Sequence, residues 1–173
     1  MSDQTDQRMM LNPVKYCLRF LLVAATLALV ATESLALAPG DVPPPLPDNA
    51  LAAHKGKAIY VDFWASWCGP CKQSFPWMNA MQDKYGGKGL QVIAVNVDGK
   101  RADADRFLGK TPATFQVVFD AAGESARRYA VKSMPSSFLI DRNGRVSYLH
   151  AGFRDEDRTD LEAKINDALN KGQ

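Results

Sequence analysis

Two cysteines separated by two residues, in Trp67-Cys68-Gly69-Pro70-Cys71-Lys72, follow directly on the apolar run Ala58-Ile59-Tyr60-Val61-Asp62-Phe63-Trp64. That run is short, β-branched and aromatic, which predicts a buried strand over 58–64. The residues after it carry Phe75, Met78, Met81 and Tyr85 on one stripe, which predicts a helix over 68–85. Cys68 and Cys71 would then lie at i and i+3 of the first turn, with Cβ atoms about 5–6 Å apart. A relaxed disulfide wants roughly 3.5–4.5 Å. A small local adjustment closes the bond, and little opposes its reopening. The pattern therefore points to a reversible dithiol–disulfide pair. A zinc site would need further ligands, and neither His54 nor His150 stands at ligand spacing from the cysteines. The remaining sequence holds no phosphate loop, dinucleotide fingerprint or serine triad, so no cofactor and no metal are expected.

Further along, apolar strands alternate with helical patterns. Gly86, Gly87 and Gly89 end the first helix, inside which Pro76 is expected to produce a kink. A second buried strand is predicted over 90–97, a polar helix over 102–109, a short strand over 115–119 and a helix over 123–130. Two strands over 136–141 and 145–150 flank Arg142-Asn143-Gly144, whose Asn-Gly pair marks a hairpin turn. A last helix over 155–171 repeats Leu161, Ile165, Ala168 and Leu169 at helical spacing. Strands joined through helices pair in parallel. The expected fold is α/β, three layers deep, with a parallel core and one antiparallel hairpin.

Ahead of this domain lie Arg8, Lys15 and Arg19, an apolar run of 12 residues over 20–31, and the small residues Ala36 and Ala38. Roughly 20 apolar residues are needed to span a bilayer, so the segment reads as a secretory signal peptide over 1–38, cleaved after Ala38. An uncleaved signal anchor is the alternative, and either one exports the folded part. Cleavage removes three residues of each charge sign, leaving the net charge at +2, with no nucleic-acid footprint. It also removes Cys17, so Cys68 and Cys71 are the only cysteines left. One bridge closing so short a loop stabilises a fold little, which assigns the pair to chemistry. Residues 39–49, with Pro39, Pro43, Pro44, Pro45 and Pro47, read as a stiff arm unable to join a sheet, and residues 50–173 as the domain.

The segments Val61-Asp62-Phe63-Trp64-Ala65-Ser66-Trp67-Cys68-Gly69-Pro70-Cys71-Lys72 and Met134-Pro135-Ser136-Ser137-Phe138-Leu139-Ile140-Asp141 resemble the thioredoxin superfamily, over most of residues 50–170. The added helix-strand-helix of about 102–130 is similar to the TlpA/ResA branch of exported thiol-disulfide oxidoreductases. Two positions depart from that branch: Asp62 stands where Asn is frequent, and Ser74 where many members carry Glu. The branch's N-terminal hairpin is reduced to the proline arm. The lysine that thioredoxin holds near its buried acid falls at Ala94, so Asp62 lacks that partner.

The resemblance implies a role for each site residue. Cys68, at a helix N-terminus, is the attacking thiol, its pKa lowered by the helix dipole with a modest push from Lys72. Cys71 is the resolving thiol. Asp62, buried without a cation, is expected to have a raised pKa and to accept the proton of Cys71. Gly69 and Pro70 shape the loop. Trp64 and Trp67 flank the site as packing groups, substrate contacts or both. Pro135 is the expected cis-proline, and the Met134 backbone would pair with a client chain. Gly152 would leave room beside it. His54, His150, Arg127-Arg128 and Asp155-Glu156-Asp157 read as solvated surface. The function implied is reduction of client-protein disulfides, with apocytochrome c or another cofactor-assembly client as candidates and a membrane electron donor to restore the dithiol. The alternatives are an oxidase or isomerase, or a non-catalytic copper- or haem-assembly chaperone. A peroxidase would need a lone cysteine in a different loop.

Overall fold

In the computed structural model, which describes residues 37–171, the chain is built on one mixed sheet of five strands. In chain order the elements are β1 (Ala58–Trp64), α1 (Cys71–Tyr85), β2 (Leu90–Asn96), α2 (Arg101–Leu108), β3 (Gln116–Phe119), α3 (Glu124–Arg128), β4 (Ser136–Ile140), β5 (Val146–Ala151) and α4 (Arg158–Asn170). The spatial order is β3-β2-β1-β4-β5. β1, β2 and β3 run parallel, because helical crossovers connect them. β4 and β5 form the expected hairpin and lie antiparallel to β1.

All seven residues of β1 are buried, since the strand is central and covered on both faces. Ala58, Tyr60 and Trp64 face a core shared with α1, α2 and α4, whereas Ile59, Val61 and Phe63 face a second core with Leu46, Ala50, Tyr129 and Ile140. Helices cover both sides, giving the expected three-layer α/β architecture. The second side is thin, closed by the five-residue α3 and by residues of the N-terminal arm. In the first core Trp64 packs on Phe75 and Phe107, with ring centroids 4.9 and 4.8 Å apart, and Phe75 also meets Phe115 at 5.4 Å. Each such pair contributes about 0.5–1.5 kcal/mol beyond burial. Together they pin the start of α1 to the end of β1, the place where the two cysteines lie.

Element bounds shift from those expected, most clearly at two helix starts. α1 begins at Cys71, not at residue 68, because its first i to i−4 hydrogen bond runs from Ser74 N–H to the Pro70 carbonyl. Cys68 therefore precedes the helix. The helix continues as one element through exposed Pro76. The last helix opens with a separate 3₁₀ turn at Asp155–Asp157 before α4 starts at Arg158.

The arm lies along the domain. Its prolines form no strand, yet Gly40 N–H donates to the Val146 carbonyl at 2.7 Å and Val146 N–H to the Asp41 carbonyl at 2.9 Å. Tyr129 Oη donates to the Pro44 carbonyl at 2.8 Å. The expected signal peptide and Cys17 lie outside the described residues, apart from Leu37 and Ala38. Among the described residues no helix is long and apolar enough to cross a membrane.

Candidate active site

Cys68 and Cys71 are joined as a disulfide, S–S 2.01 Å with Cα atoms 5.3 Å apart. Cys71 is fully buried and Cys68 is 4% exposed, so an incoming partner reaches Cys68 first. Cys71 N–H points at Cys68 Sγ at 3.2 Å. An amide donor and the opening turn of α1 thus face that sulfur, an arrangement that favours a thiolate there once the bond is reduced. Ser74, which stands where many members of the resembled branch carry Glu, is buried and donates its hydroxyl to the Cys71 carbonyl at 3.1 Å.

Asp62 lies six positions before Cys68 on β1 and is 1% exposed. Its Oδ2 is buried without a hydrogen-bond partner. Burial alone pushes its pKa well above the usual carboxylate range, as no partner stabilises the charge. Its direct strand neighbours are Ala94 on β2 and Ser137 on β4. Ala94, a residue without charge, thus stands directly beside Asp62.

The Met134–Pro135 peptide is cis. It enters β4 two residues before Ser137, and Ser136 pairs with Phe63, so it shares the sheet end that carries Cys68. Met134 packs against the core cluster that includes both cysteines. Gly152, at φ +87°, donates its N–H to the Pro135 carbonyl at 2.7 Å. That positive φ suits glycine, whereas space does not demand it, since a Cβ here would meet nothing within 4 Å.

Residues 45–165 match the Redoxin family. The chain belongs to that family. It is 31% identical over 128 residues to the thiol-disulfide oxidoreductase ResA of Geobacillus thermodenitrificans, covering 70% of this chain and 74% of the relative. It is 38% identical over 96 residues to ResA of Bacillus thuringiensis, covering 56% of each. A crystal structure of a Chlorobium tepidum protein, assigned as the thiol:disulfide interchange protein DsbE, superposes with TM-score 0.74 and 53% identity, covering 78% of this chain and 99% of that one. The protein is thus a ResA/TlpA-like Redoxin of the thioredoxin superfamily. It is an oxidoreductase with a redox-active Cys68–Cys71 pair, and its clients are proteins bearing thiols or disulfides.

In this Redoxin the two flanking tryptophans have separate surroundings. Trp64 is fully buried against Phe75 and Phe107, whereas Trp67 is 72% exposed beside Cys68. Sequence reasoning missed Asp98. Its carboxylate accepts from Ser66 N–H and Ser66 Oγ, both at 2.9 Å, and from Asn96 Nδ2 at 2.8 Å. These bonds tie the loop carrying Trp67 and Cys68 to the end of β2. A buried Asp after a strand is the only signal the sequence held for it. Two polar features expected at the surface are partly buried. His150 Nε2 is buried, and Asp157, with an 11% exposed side chain, lies 3.4 Å from it. The reason is the capping turn: Asp157 accepts from Arg154 N–H at 2.8 Å, which draws it in ahead of α4. His54 is half-buried and bonds Gln116 Oε1 at 2.7 Å.

Proposed function

We propose that this protein is an exported reductase of client-protein disulfides. The Cys68 thiolate attacks a client disulfide, forms a mixed disulfide and releases one client thiolate. Asp62 then takes the proton of Cys71, and the Cys71 sulfur attacks Cys68 Sγ. The second client thiolate leaves, and the Cys68–Cys71 disulfide remains. Two electrons have passed to the client, so a membrane electron donor must return two. Exposed Trp67, with Gly69, Pro70, Met134 and Pro135, forms the surface on which an extended client segment docks by β-like backbone pairing. Residues 1–38 export the domain to the periplasm and are cleaved after Ala38, and residues 39–49 act as its arm.

The Gly69-Pro70 insert between the cysteines carries the reducing direction, because it resembles that of reducing members. The unpartnered Asp62 carboxyl supports the proton step. The test is the reduction potential of the Cys68–Cys71 couple in graded thiol buffers, read from tryptophan fluorescence. A potential of about −250 mV or lower is expected. One near ~−120 mV would overturn the reductase reading in favour of an oxidase.

A further inference from the structure

Beside the redox turn the surface is unevenly charged. Ser66, two residues before Cys68, and Lys72, directly after Cys71, line one side of a cleft of about 220 Å³. Asp103 and Arg106 of α2 and Lys110 just past it line the other, together with buried Phe107. Two residues of chain span at most about 7 Å, so the Ser66 side of the cleft lies within that distance of Cys68.

Both sides are held in place. Ser66 donates its N–H and its hydroxyl to Asp98, each at 2.9 Å. Past the end of α2 the N–H groups of Lys110 and Thr111 both donate to the Phe107 carbonyl at 2.9 Å. Asn79 on α1 donates to the Pro112 carbonyl at 2.9 Å and accepts from Thr114 N–H at 2.8 Å. The turn that carries Lys110 is therefore tied to both helices. Its charges are not matched. Within α2, Arg101 pairs with Asp105 and Arg106 with Asp103, so the four charges of that helix cancel. Lys72 and Lys110 come from outside α2, are exposed, and have no ion-pair partner among the described residues. Asp98, behind Ser66, is buried and already accepts from Ser66 and Asn96. Three cations against the one carboxylate of Asp103 leave an excess of two positive charges along the cleft.

We propose that this cleft receives a carboxylate of the client, from an Asp or Glu close in sequence to the client cysteine, and so selects acidic disulfide-bearing segments. The proposal rests on the reading above, in which Cys68 is the thiol that attacks client disulfides. An extended client segment advances about 3.3 Å per residue. An acid two to four positions from its cysteine is thus carried roughly 7–13 Å across the surface, enough to pass from Cys68 into the cleft. Arg106 keeps donors beyond the nitrogen that Asp103 holds, and Lys72 and Lys110 bring an ammonium group from either side. Complementarity of this kind acts chiefly on the rate of encounter and on the choice of partner.

The test uses the reduced protein and short peptides whose single central cysteine is joined by a disulfide to a thiopyridyl group, with Glu, Gln or Lys flanking it on both sides. Attack of the Cys68 thiolate on the peptide sulfur forms a Cys68–peptide disulfide and releases thiopyridine, read by its absorbance. Each rate is divided by the rate of the same peptide with dithiothreitol, which removes differences in the peptides' own reactivity. At low salt the Glu peptide is expected to react about tenfold faster than the Gln peptide, the low end for electrostatic steering. The gap should close at about 1 M salt, where charges are screened beyond roughly 3 Å. Lys110→Glu should turn the preference toward the Lys peptide. Lys88→Glu makes the same charge change beyond the far end of α1 and should keep the preference for Glu. Equal rates for the Glu and Gln peptides overturn the cleft as a carboxylate site. So does an equal loss of preference in Lys110→Glu and Lys88→Glu, because the protein would then answer only to its net charge. Release from none of the peptides overturns the attack by Cys68 itself, and with it the reductase reading.

Discussion

Asp62 on β1 and Asp120 just past β3, two strands of one sheet separated by β2, are buried to similar depth, 1% and 6% exposed, but their surroundings are opposite. Asp120, just past the end of β3, accepts from the N–H groups of Glu124, Ser125 and Ala126 at 2.9, 2.7 and 3.1 Å. It caps the first turn of α3, supplying the acceptor that a helix start lacks. Asp98, 5% exposed, is likewise filled, by Ser66 and Asn96. Asp62 Oδ2 has nothing. Burial is common to all three carboxylates, and the supply of donors separates them. A carboxylate fed by several N–H groups holds backbone in place. One left without donors in an apolar core holds a proton and is free to exchange it.

The widest gap between these regions is expected on replacing Asp62. Asp62→Asn should slow the attack of Cys71 by about 10²-fold, near the low end for a general acid–base group, measured as single-turnover release from the mixed disulfide. The same variant should make the fold more stable at neutral and alkaline pH. The sign follows from the raised pKa of Asp62. At acid pH both folded and unfolded states hold the proton. As pH rises past the ordinary carboxylate range the unfolded chain loses it first, and stability falls until the folded-state pKa is passed. Chemical denaturation across pH checks this: the decline should be present in the wild-type protein and reduced in Asp62→Asn.

Smaller effects are expected where the carboxylates are satisfied. Asp98→Ala removes three hydrogen bonds to a charged acceptor. It should cost about 2–3 kcal/mol, because Ser66 N–H and Asn96 lose their partner, and it should shift the reduction potential by loosening the loop under Cys68. A wild-type potential in a destabilised Asp98→Ala would separate the fold of that loop from its chemistry. Asp120→Ala should cost about 1–2 kcal/mol as a lost helix cap and leave the exchange rate untouched. A slowed rate in Asp120→Ala would erase the distinction between satisfied and unsatisfied carboxylates.

Much of this contrast was legible in the residues. The apolar run over 58–64 could be read as a central strand, and its one carboxylate stood out because nothing apolar about the run called for it. The Cys68–Cys71 spacing announced the redox pair, and Asn143-Gly144 announced the hairpin. The start of α1 was harder to place. A stripe at helical spacing looks the same whether Cys68 or Cys71 opens the helix, and the difference is one hydrogen bond to the Pro70 carbonyl.

Local pattern thus determined by itself which segments are strands and helices, the thiol chemistry and the presence of a buried acid, because periodicity, turn residues and cysteine spacing act between near neighbours in the chain. Tertiary structure alone decided which polar groups meet. Ser66 and Asp98 are 32 positions apart, and Tyr60 and Ser137 are 77 apart. His150 read as surface until sheet register set it beside Ser137 and the capping turn drew Asp157 over it. Such pairings depend on strand order and register, which arise from packing two apolar faces at once, and no local stretch of sequence contains that information.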